Sequence, residues 1–383
     1  MDKRQSRKLL CIAIVFFWAS EYCHTPYFTP YLESLGFTAT LIGLMTGAYG
    51  FTQIFARIPL GMLTDAFSSY KATILFGTIC TTVSSFFLMF ATSFPAIIFC
   101  RVLAGLAAST WLAFSVLYNA YFKDDESVTA MTNINAFNNG GKLLAFGLGL
   151  ATASFFGIKV PLLCSVLTGL ASCICVAFLK PIALKHTSFS FRHIASVVKT
   201  PAILAASFFA VLMQFYMQGT VFSFTSGYLR KLGASSFLIG LVSLTFTVTN
   251  VLAAGYVGKK LLKNMKPGHA LALGYSTLAL GALLIAFAPS PWLFVLASAI
   301  IGGGNIIING LLMSMIVRHA PQEKQSTAMG FYQAVYGIGM SSGPALIGRI
   351  VNASGYQTAY LSVTALMVMT ALLALWILPR VEK

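Results

Sequence analysis

Residues 9–35 read LLCIAIVFFWASEYCHTPYFTPYLESL, an apolar stretch with Glu21 near its middle. As a helix that rises ~1.5 Å per residue, it is long enough to cross a bilayer core of ~30 Å. An ionised carboxylate at that depth costs a few kcal/mol, so it needs a polar partner or a water-filled cavity. We interpret Glu21 as part of a proton or substrate site. The alternative is a structural Glu paired with a neighbouring helix.

The composition places the whole chain in a membrane. Of its 383 residues, 57% are hydrophobic and 9% are charged, whereas about a quarter of the residues of a soluble domain are charged. We predict an all-α membrane protein with twelve transmembrane helices in two pseudo-symmetric six-helix bundles. The helices are expected near residues 9–34, 39–62, 71–92, 95–120, 129–155, 159–179, 200–226, 236–258, 268–288, 291–317, 327–350 and 358–378.

The distribution of basic residues predicts the orientation. Eighteen of the 25 Lys and Arg residues fall in segments on the side of the N-terminus, and four fall on the opposite side. Cytoplasmic segments carry such an excess, so both termini are expected in the cytoplasm and the chain in the cytoplasmic (inner) membrane as a multi-pass protein. The net charge of +16 then faces anionic lipid headgroups, and no nucleic-acid partner is expected.

The longest connection divides the chain into two parts. Residues 180–199 form a basic segment after the sixth predicted helix. We therefore expect an N-terminal bundle over 1–179, a cytoplasmic linker over 180–199 and a C-terminal bundle over 200–383. A monomeric repeat of this kind does not favour a channel, which usually has oligomeric symmetry around its pore.

The sequence lacks signatures of catalysis or metal binding. All seven cysteines lie in apolar stretches, without CxxC or His/Cys metal spacing. HExxH, GxSxG and P-loop patterns are also missing. We expect no enzymatic activity, no metal and no cofactor, with a proton gradient as the energy source.

Two motifs resemble those of a known family. Residues 57–71 read RIPLGMLTDAFSSYK, which is similar at Gly61, Leu63, Asp65 and Lys71 to the cytoplasmic signature loop of the major facilitator superfamily, G-x-L-a-D-r-x-G-r-(R/K)-(R/K). Residues 101–108, RVLAGLAA, resemble its R-x-x-q-G-x-g-a motif. The resemblance implies a twelve-helix secondary active transporter that works by alternating access and looks like bacterial efflux-type members.

The signature loop is expected to act as a gate. Asp65 at a helix end can pair with a positive group or a helix N-terminus when the cytoplasmic side closes. Gly61 lets two helices approach, Arg57 lies one turn inward, and Lys71 ends the motif. The alternative role for Asp65 is to fix topology only.

Four polar residues of the first half are candidates for the transport site. Glu21 and Arg101 lie at similar depths, and Lys142 is mid-span on a face shared with Asn138. The resemblance places these helices at the central cavity, so we expect Glu21, His24, Arg101 and Lys142 to converge there, with Trp18 one turn before Glu21. One carboxylate against two cations favours an anionic or zwitterionic small-molecule substrate over a cation.

The expected mechanism is a competition for these cations. Substrate and Glu21 compete for Arg101 and Lys142, and protonation of Glu21 frees the cations. His24 either relays that proton or packs beside Trp18 and Tyr27. Export of the small organic solute is slightly favoured. The alternatives are uptake of an organic anion and efflux of drugs or lipid-like amphiphiles.

The second half offers neutral polar residues instead of charges. Its paired amides and aromatics either bridge helices or contact the substrate. The candidates are Gln214, Gln218, Asn305, Asn309, Tyr332 and Tyr336.

Overall fold

A computed structural model describes residues 3–67, 69–122, 127–180, 200–257, 261–320 and 325–381. It leaves out the side chains of residues 3, 65, 66, 127–129, 131, 132, 263 and 326. Most of the predicted linker, residues 181–199, and the side chain of Asp65 therefore lie outside the described part of the chain.

The described residues form twelve helices of membrane-spanning length, as predicted. The first six are α1 (Lys3–Tyr22 and Thr25–Ser34), α2 (Ala39–Phe67), α3 (Tyr70–Leu88), α4 (Phe94–Ser109 and Trp111–Asn119), α5 (Ser127–Phe156) and α6 (Val160–Ala177). The others are α7 (Pro201–Tyr216, Met217–Phe224 and Thr225–Lys231), α8 (Ser236–Tyr256), α9 (Pro267–Ala286), α10 (Leu293–His319), and α11 and α12 over residues 325–354 and 356–381. A short turn, Leu262–Asn264, precedes α9.

Length and apolar composition support this count. Nine stretches among the described residues are long and apolar enough to cross a membrane, and the last, Thr327–Val381, holds both α11 and α12. These two helices meet at Gly355, whose φ of 82° is open to glycine but costly for other residues. Helices α2 and α5 contain 29 and 30 residues, which is also enough to span a bilayer.

Helix α1 is interrupted beside Glu21. The helix stops at Tyr22 and resumes at Thr25, because Pro26 has no N–H to donate and its ring clashes with the preceding turn. The Thr25 hydroxyl donates to the Glu21 carbonyl at 3.2 Å and so satisfies one freed acceptor. Glu21, Tyr22 and His24 are thus held at an irregular point of the helix.

Helix α7, the first helix of the second half, is irregular as well. Residues Met217–Phe224 are π-helical, a rare conformation that is often found at functional sites. Side-chain hydroxyl groups donate hydrogen bonds to backbone carbonyls in this segment: Ser223 to the Gln218 carbonyl and Thr225 to the Thr220 carbonyl. The first helix of each half is therefore distorted within the membrane.

Corresponding helices of the two halves are followed by the same feature, a glycine with positive φ. Glycines with positive φ follow α1, α5, α7 and α11, at Gly36, Gly157, Gly233 and Gly355. Helices α1 and α7 are each the first of their half, and α5 and α11 are each the fifth. This repetition fits the predicted pseudo-symmetry of two six-helix units.

The two halves meet along α2 and α11. A Cβ at Gly43 would approach Pro344 O, and one at Gly50 would approach the Met340 backbone at 2.6 Å. Small residues let these helices approach as closely as helix pairs in membranes often do. A second contact joins α5 to α8, where Gly240 packs against Leu150.

Large apolar side chains cover the outside of the bundle. Helices α3, α6, α9 and α12 expose such residues along their lengths, including Phe86, Phe87, Leu167, Ile174, Leu280, Leu372 and Trp376. Buried hydroxyls of α3 face inward instead, among them Thr81 and Ser84.

Candidate transport site

A cavity lies between α1, α2, α4 and α7, with about 370 Å³ of empty space when its opening to solvent is included. It contains two of the three predicted charged residues of the first half, Glu21 and Arg101. Its lining residues are Glu21, Tyr22, His24, Thr25, Phe28, Thr46, Tyr49, Arg101, Gln218 and Phe222. The cavity therefore has one acid, one guanidinium and one imidazole among aromatic and neutral polar groups.

Glu21 is 6% exposed, and its Oε1 atom has no hydrogen-bond partner. The Thr81 hydroxyl of α3 lies beside the carboxyl group, and Arg101 is near enough to interact with its charge. Thr81 is itself positioned by a 3.2 Å hydrogen bond with Ser20. Among the described residues no basic side chain lies at ion-pair distance from Glu21, so its carboxyl group is held near a cation without being neutralised by it.

Arg101 is held by aromatic rings instead of an acid. Its Cζ atom lies 5.1 Å from the Phe28 ring centroid and 4.9 Å from the Tyr49 ring centroid. Such contacts stabilise a desolvated cation by ~2 kcal/mol. The Nε atom of this buried side chain has no partner. The edge of the guanidinium is thus left free to bind an anion.

His24 spans from α6 to the cavity. Its Nδ1 atom is 3.0 Å from the Ser165 hydroxyl, while its Nε2 atom has no partner. The ring also packs edge-on against Phe28, with centroids 6.0 Å apart. His24 is therefore anchored on one side and carries a free nitrogen on the other.

Arg57 lies at the interface of the halves. It donates to Gln53 of its own helix, to Gln333 of α11 at 3.0 Å and to the Tyr336 hydroxyl at 3.2 Å. The side chain is 7% exposed. Predicted as part of the gating motif near the cytoplasmic boundary, Arg57 joins α2 to α11, and its charge reaches Tyr49 at the cavity wall.

Lys142 lies next to the cavity wall, outside the set of residues that line the cavity. Its Nζ atom is 5.0 Å from the Tyr22 ring centroid and 5.6 Å from the Trp18 ring centroid. Tyr22 lines the cavity. The structure thus brings Glu21, His24 and Arg101 around one cavity and places Lys142 beside it, where Tyr22 borders both.

The remaining gating candidates, Gly61 and Lys71, contact α4 and α6 of the first half, and Gly61 also faces α11 of the second. A Cβ at Gly61 would approach Leu112 of α4 at 3.1 Å, and Lys71 donates to the Ala177 carbonyl at the end of α6 at 2.8 Å. Gly61 also lines a second cavity of about 420 Å³ with Arg57, Phe331 and Gln333.

The predicted residues of the second half have different placements. Gln218 lines the cavity and Tyr336 binds Arg57. Asn309 donates to Asn305 one turn away at 3.2 Å, and Tyr332 is buried with a free hydroxyl. Gln214, one turn before Gln218, is half-buried on α7.

Sequence reasoning missed the aromatic part of the site. Tyr22, Phe28, Tyr49 and Phe222 line the cavity, but aromatic residues are so frequent in this chain that nothing in the sequence singles them out. Only the rule that a buried cation without an acid needs aromatic faces could have drawn attention to the rings near Arg101.

Comparison with known proteins identifies the family. The profile of the Major Facilitator Superfamily matches residues 10–344 and 207–383. An uncharacterised MFS-type transporter of Methanocaldococcus jannaschii is 24% identical over 358 residues, which cover 88% of each chain. Multidrug resistance protein MdtG of Enterobacter lignolyticus is 25% identical over 238 residues, 60% of this chain and 54% of MdtG.

Solved structures show the same architecture. The crystal structure of the nucleoside transporter NupG is similar with a TM-score of 0.77 at 18% identity, over 98% of this chain and 99% of NupG. The twelve helices, the interface of α2 with α11 and the family profile together show that this chain belongs to the Major Facilitator Superfamily of membrane transporters.

Proposed function

We propose that the chain is a proton-coupled secondary transporter that moves a small organic anion or zwitterion across the cytoplasmic membrane. In the mechanism below the anion and the proton bind together, so an inward proton gradient drives uptake, and the export expected from the sequence is driven by an outward anion gradient instead. The observation that carries the proposal is the arrangement of Glu21 and Arg101, which line one buried cavity, form no ion pair and each keep a polar atom without a partner.

The charges at the cavity favour an anion. Arg101 lines it and Arg57 lies close to its wall at Tyr49, whereas Glu21 is the single acid among the described residues that line it. A site for lipophilic cations would be expected to carry an excess of acids. Here the field is positive when Glu21 is ionised, and it becomes more positive when Glu21 takes up a proton.

Proton coupling follows from the separation of the Glu21 carboxyl group from the Arg101 guanidinium. When Glu21 is protonated, Arg101 is the one charged group that lines the cavity, and its free edge binds the substrate anion. When Glu21 releases the proton, its negative charge competes for Arg101 and weakens substrate binding. His24, with Nε2 unbonded, lies where it can pass the proton along.

Alternating access requires parts that can rearrange around this cavity. Helices α1 and α7 supply them, since both are irregular beside it and contribute Glu21 and Gln218. Interrupted helices at the midplane are the usual place of substrate sites in repeat-built transporters.

The test uses the purified protein in liposomes with an imposed pH gradient and a panel of carboxylates, zwitterions, sugars and dyes. Glu21→Gln is expected to abolish gradient-driven accumulation of the transported anion while anion exchange continues. Asp125→Asn is the matched control, because it also removes one carboxyl group, from a segment between two predicted membrane spans. If Glu21→Gln retains gradient-driven accumulation, Glu21 is not the coupling group.

A second candidate function is efflux of multiple drugs. The name of the MdtG relative and the aromatic lining of the cavity favour it. The two candidates differ in the charge that they transport. Gradient-driven movement of a cationic dye, unaffected by the panel's carboxylates as competitors, would favour drug efflux over the anion transporter.

A further inference from the structure

Lys142 is a half-buried cation for which the cavity around Glu21 gives no role. It extends from α5, which packs so closely on α1 that a Cβ at Gly141 would approach Val15 O at 2.6 Å. Its Nζ atom rests on the rings of Trp18 and Tyr22. In the described part of the chain, no carboxylate lies at ion-pair distance from it.

Two further polar atoms near Lys142 have no partner. Trp18 is 7% exposed, and its Nε1–H donates to nothing. The Oδ1 atom of Asn138, one helical turn before Lys142 on α5, accepts from nothing. A buried polar atom without a hydrogen bond costs ~1–3 kcal/mol, so a ligand that bonds to these atoms offsets an existing penalty.

This cluster adjoins the cavity at Tyr22. The Tyr22 ring lines the cavity and also contacts Lys142, and its other neighbours are Phe146 and Phe222 at centroid distances of 6.0 and 5.5 Å. A ligand that reaches from Arg101 to Lys142 has to displace the Tyr22 ring, which lies between the cavity and Lys142.

We propose that Lys142, Trp18 and Asn138 form a second anion-binding subsite and that the substrate carries two anionic groups, one at Arg101 and one at Lys142. The proposal rests on the proposed function, since it assigns the class of anion that the same transporter takes. At the second subsite the ammonium and the Trp18 N–H donate to the anion, and Asn138 accepts from a hydroxyl or amide of the substrate.

The other cations support two anionic groups and not three. Arg57 already donates to Gln53, Gln333 and Tyr336. These partners are neutral, and they leave the guanidinium few N–H groups with which to bind an anion. Among the described residues, Arg101 and Lys142 contact aromatic faces and form no ion pair. Two anionic groups therefore match the two cations whose donors are free while Glu21 is protonated.

The test measures binding to the full-length protein in lipid nanodiscs by calorimetry. The probes are succinate, glutarate, adipate and suberate, each compared with the monocarboxylate of equal carbon number. At least one dicarboxylate is expected to bind about tenfold more tightly than its monocarboxylate, because one charged hydrogen-bonded group is worth that factor or more. Its length reports the separation of the two subsites.

Three variants make the assignment specific. Lys142→Gln is expected to remove the dicarboxylate preference and leave monocarboxylate affinity unchanged. Trp18→Phe, which keeps an aromatic ring but lacks the indole N–H, is expected to reduce that preference about threefold. Lys159→Gln is the control, because Lys159 also lies over a tyrosine ring, Tyr31, but outside the cavity lining, and it is expected to bind like wild type.

Some results would overturn the second subsite. These are equal affinities for dicarboxylates and monocarboxylates in the wild-type protein, or a Lys142→Gln variant that weakens both kinds of probe equally. Failure of the proposed function gives a different pattern, in which no carboxylate binds or Arg101→Gln leaves every affinity unchanged.

Discussion

Tyr356 of α12 donates a 2.6 Å hydrogen bond to Oε1 of Glu33 at the end of α1, and this bond joins the two halves on the face opposite to the termini. The Tyr356 ring stacks on Tyr228 with centroids 4.9 Å apart. Next to it, a Cβ at Gly227 would approach Glu33 Oε1 at 2.8 Å. The two halves are thus closed against each other at this face.

Removing the Tyr356 hydroxyl should loosen this closure. Tyr356→Phe leaves Glu33 without its donor, and the loss of a charged hydrogen bond is worth ~1.5–3 kcal/mol, so the state closed at this face is expected to become at least about tenfold less favoured. The measurement is the rate at which an impermeant maleimide, added at this face, labels a single cysteine placed at Gln218 in the cavity.

Tyr360→Phe is the control for that measurement. Tyr360 bonds to Thr225 at 2.7 Å, and both residues belong to the second half, so its labelling rate is expected to match that of wild type. Equal rates in both variants would show that the Tyr356–Glu33 bond does not hold the halves together.

The contact of Arg57 with Gln333 should contribute to the interface of α2 and α11. Hydrogen bonds between membrane helices average ~0.6 kcal/mol and reach ~1.7 kcal/mol. A double-mutant cycle of Arg57→Lys and Gln333→Leu, read as the free energy of unfolding in mild denaturant, is expected to give a coupling free energy in that range. The same cycle with Gln214 in place of Gln333 should give none, and a zero for both pairs would refute the contact.

Alanine substitutions at two adjacent glycines of α10 should have different effects on the melting temperature. A Cβ at Gly302 would meet Phe246 O of α8 at 2.5 Å, whereas one at Gly303 would meet nothing within 4 Å. Gly302→Ala is therefore expected to lower the melting temperature of the purified protein. Gly303→Ala is expected to leave it unchanged or raise it, since alanine favours helix over glycine by ~1 kcal/mol. The opposite order would contradict the packing of α10 on α8.

Lys71 should matter for stability and not for transport. Its 2.8 Å bond to the Ala177 carbonyl places a cation at the C-terminal end of α6, an arrangement worth ~0.3–1 kcal/mol. Lys71→Gln is expected to lose that much unfolding free energy and to keep the wild-type maximal transport rate. A large loss of rate at unchanged stability would support the gating role that the signature loop suggests.

The sequence predicts the architecture well because membrane spans are long and their apolar patterns are strong. Glu21, His24 and Arg101 could be chosen as site residues since each is costly within a membrane unless something compensates it. The π-helical part of α7 could not be foreseen, because no residue pattern in Met217–Phe224 distinguishes it from an ordinary helix; in the structure, Gly219 packs there against Gly343 of α11. Depth along the span did not reveal that Lys142 points beside the cavity and not into it, since helix rotation is set by packing.

The central claim is that Glu21 is the carboxyl group that exchanges its proton as the anion binds at Arg101. The most direct measurement is the infrared difference spectrum of the protein on addition of the anion that the liposome panel transports fastest. The predicted result is a gain in the protonated-carboxyl band that vanishes in Glu21→Gln and persists in Glu33→Gln. A band that is unchanged by anion in the wild-type protein, or that persists in Glu21→Gln, would contradict the account.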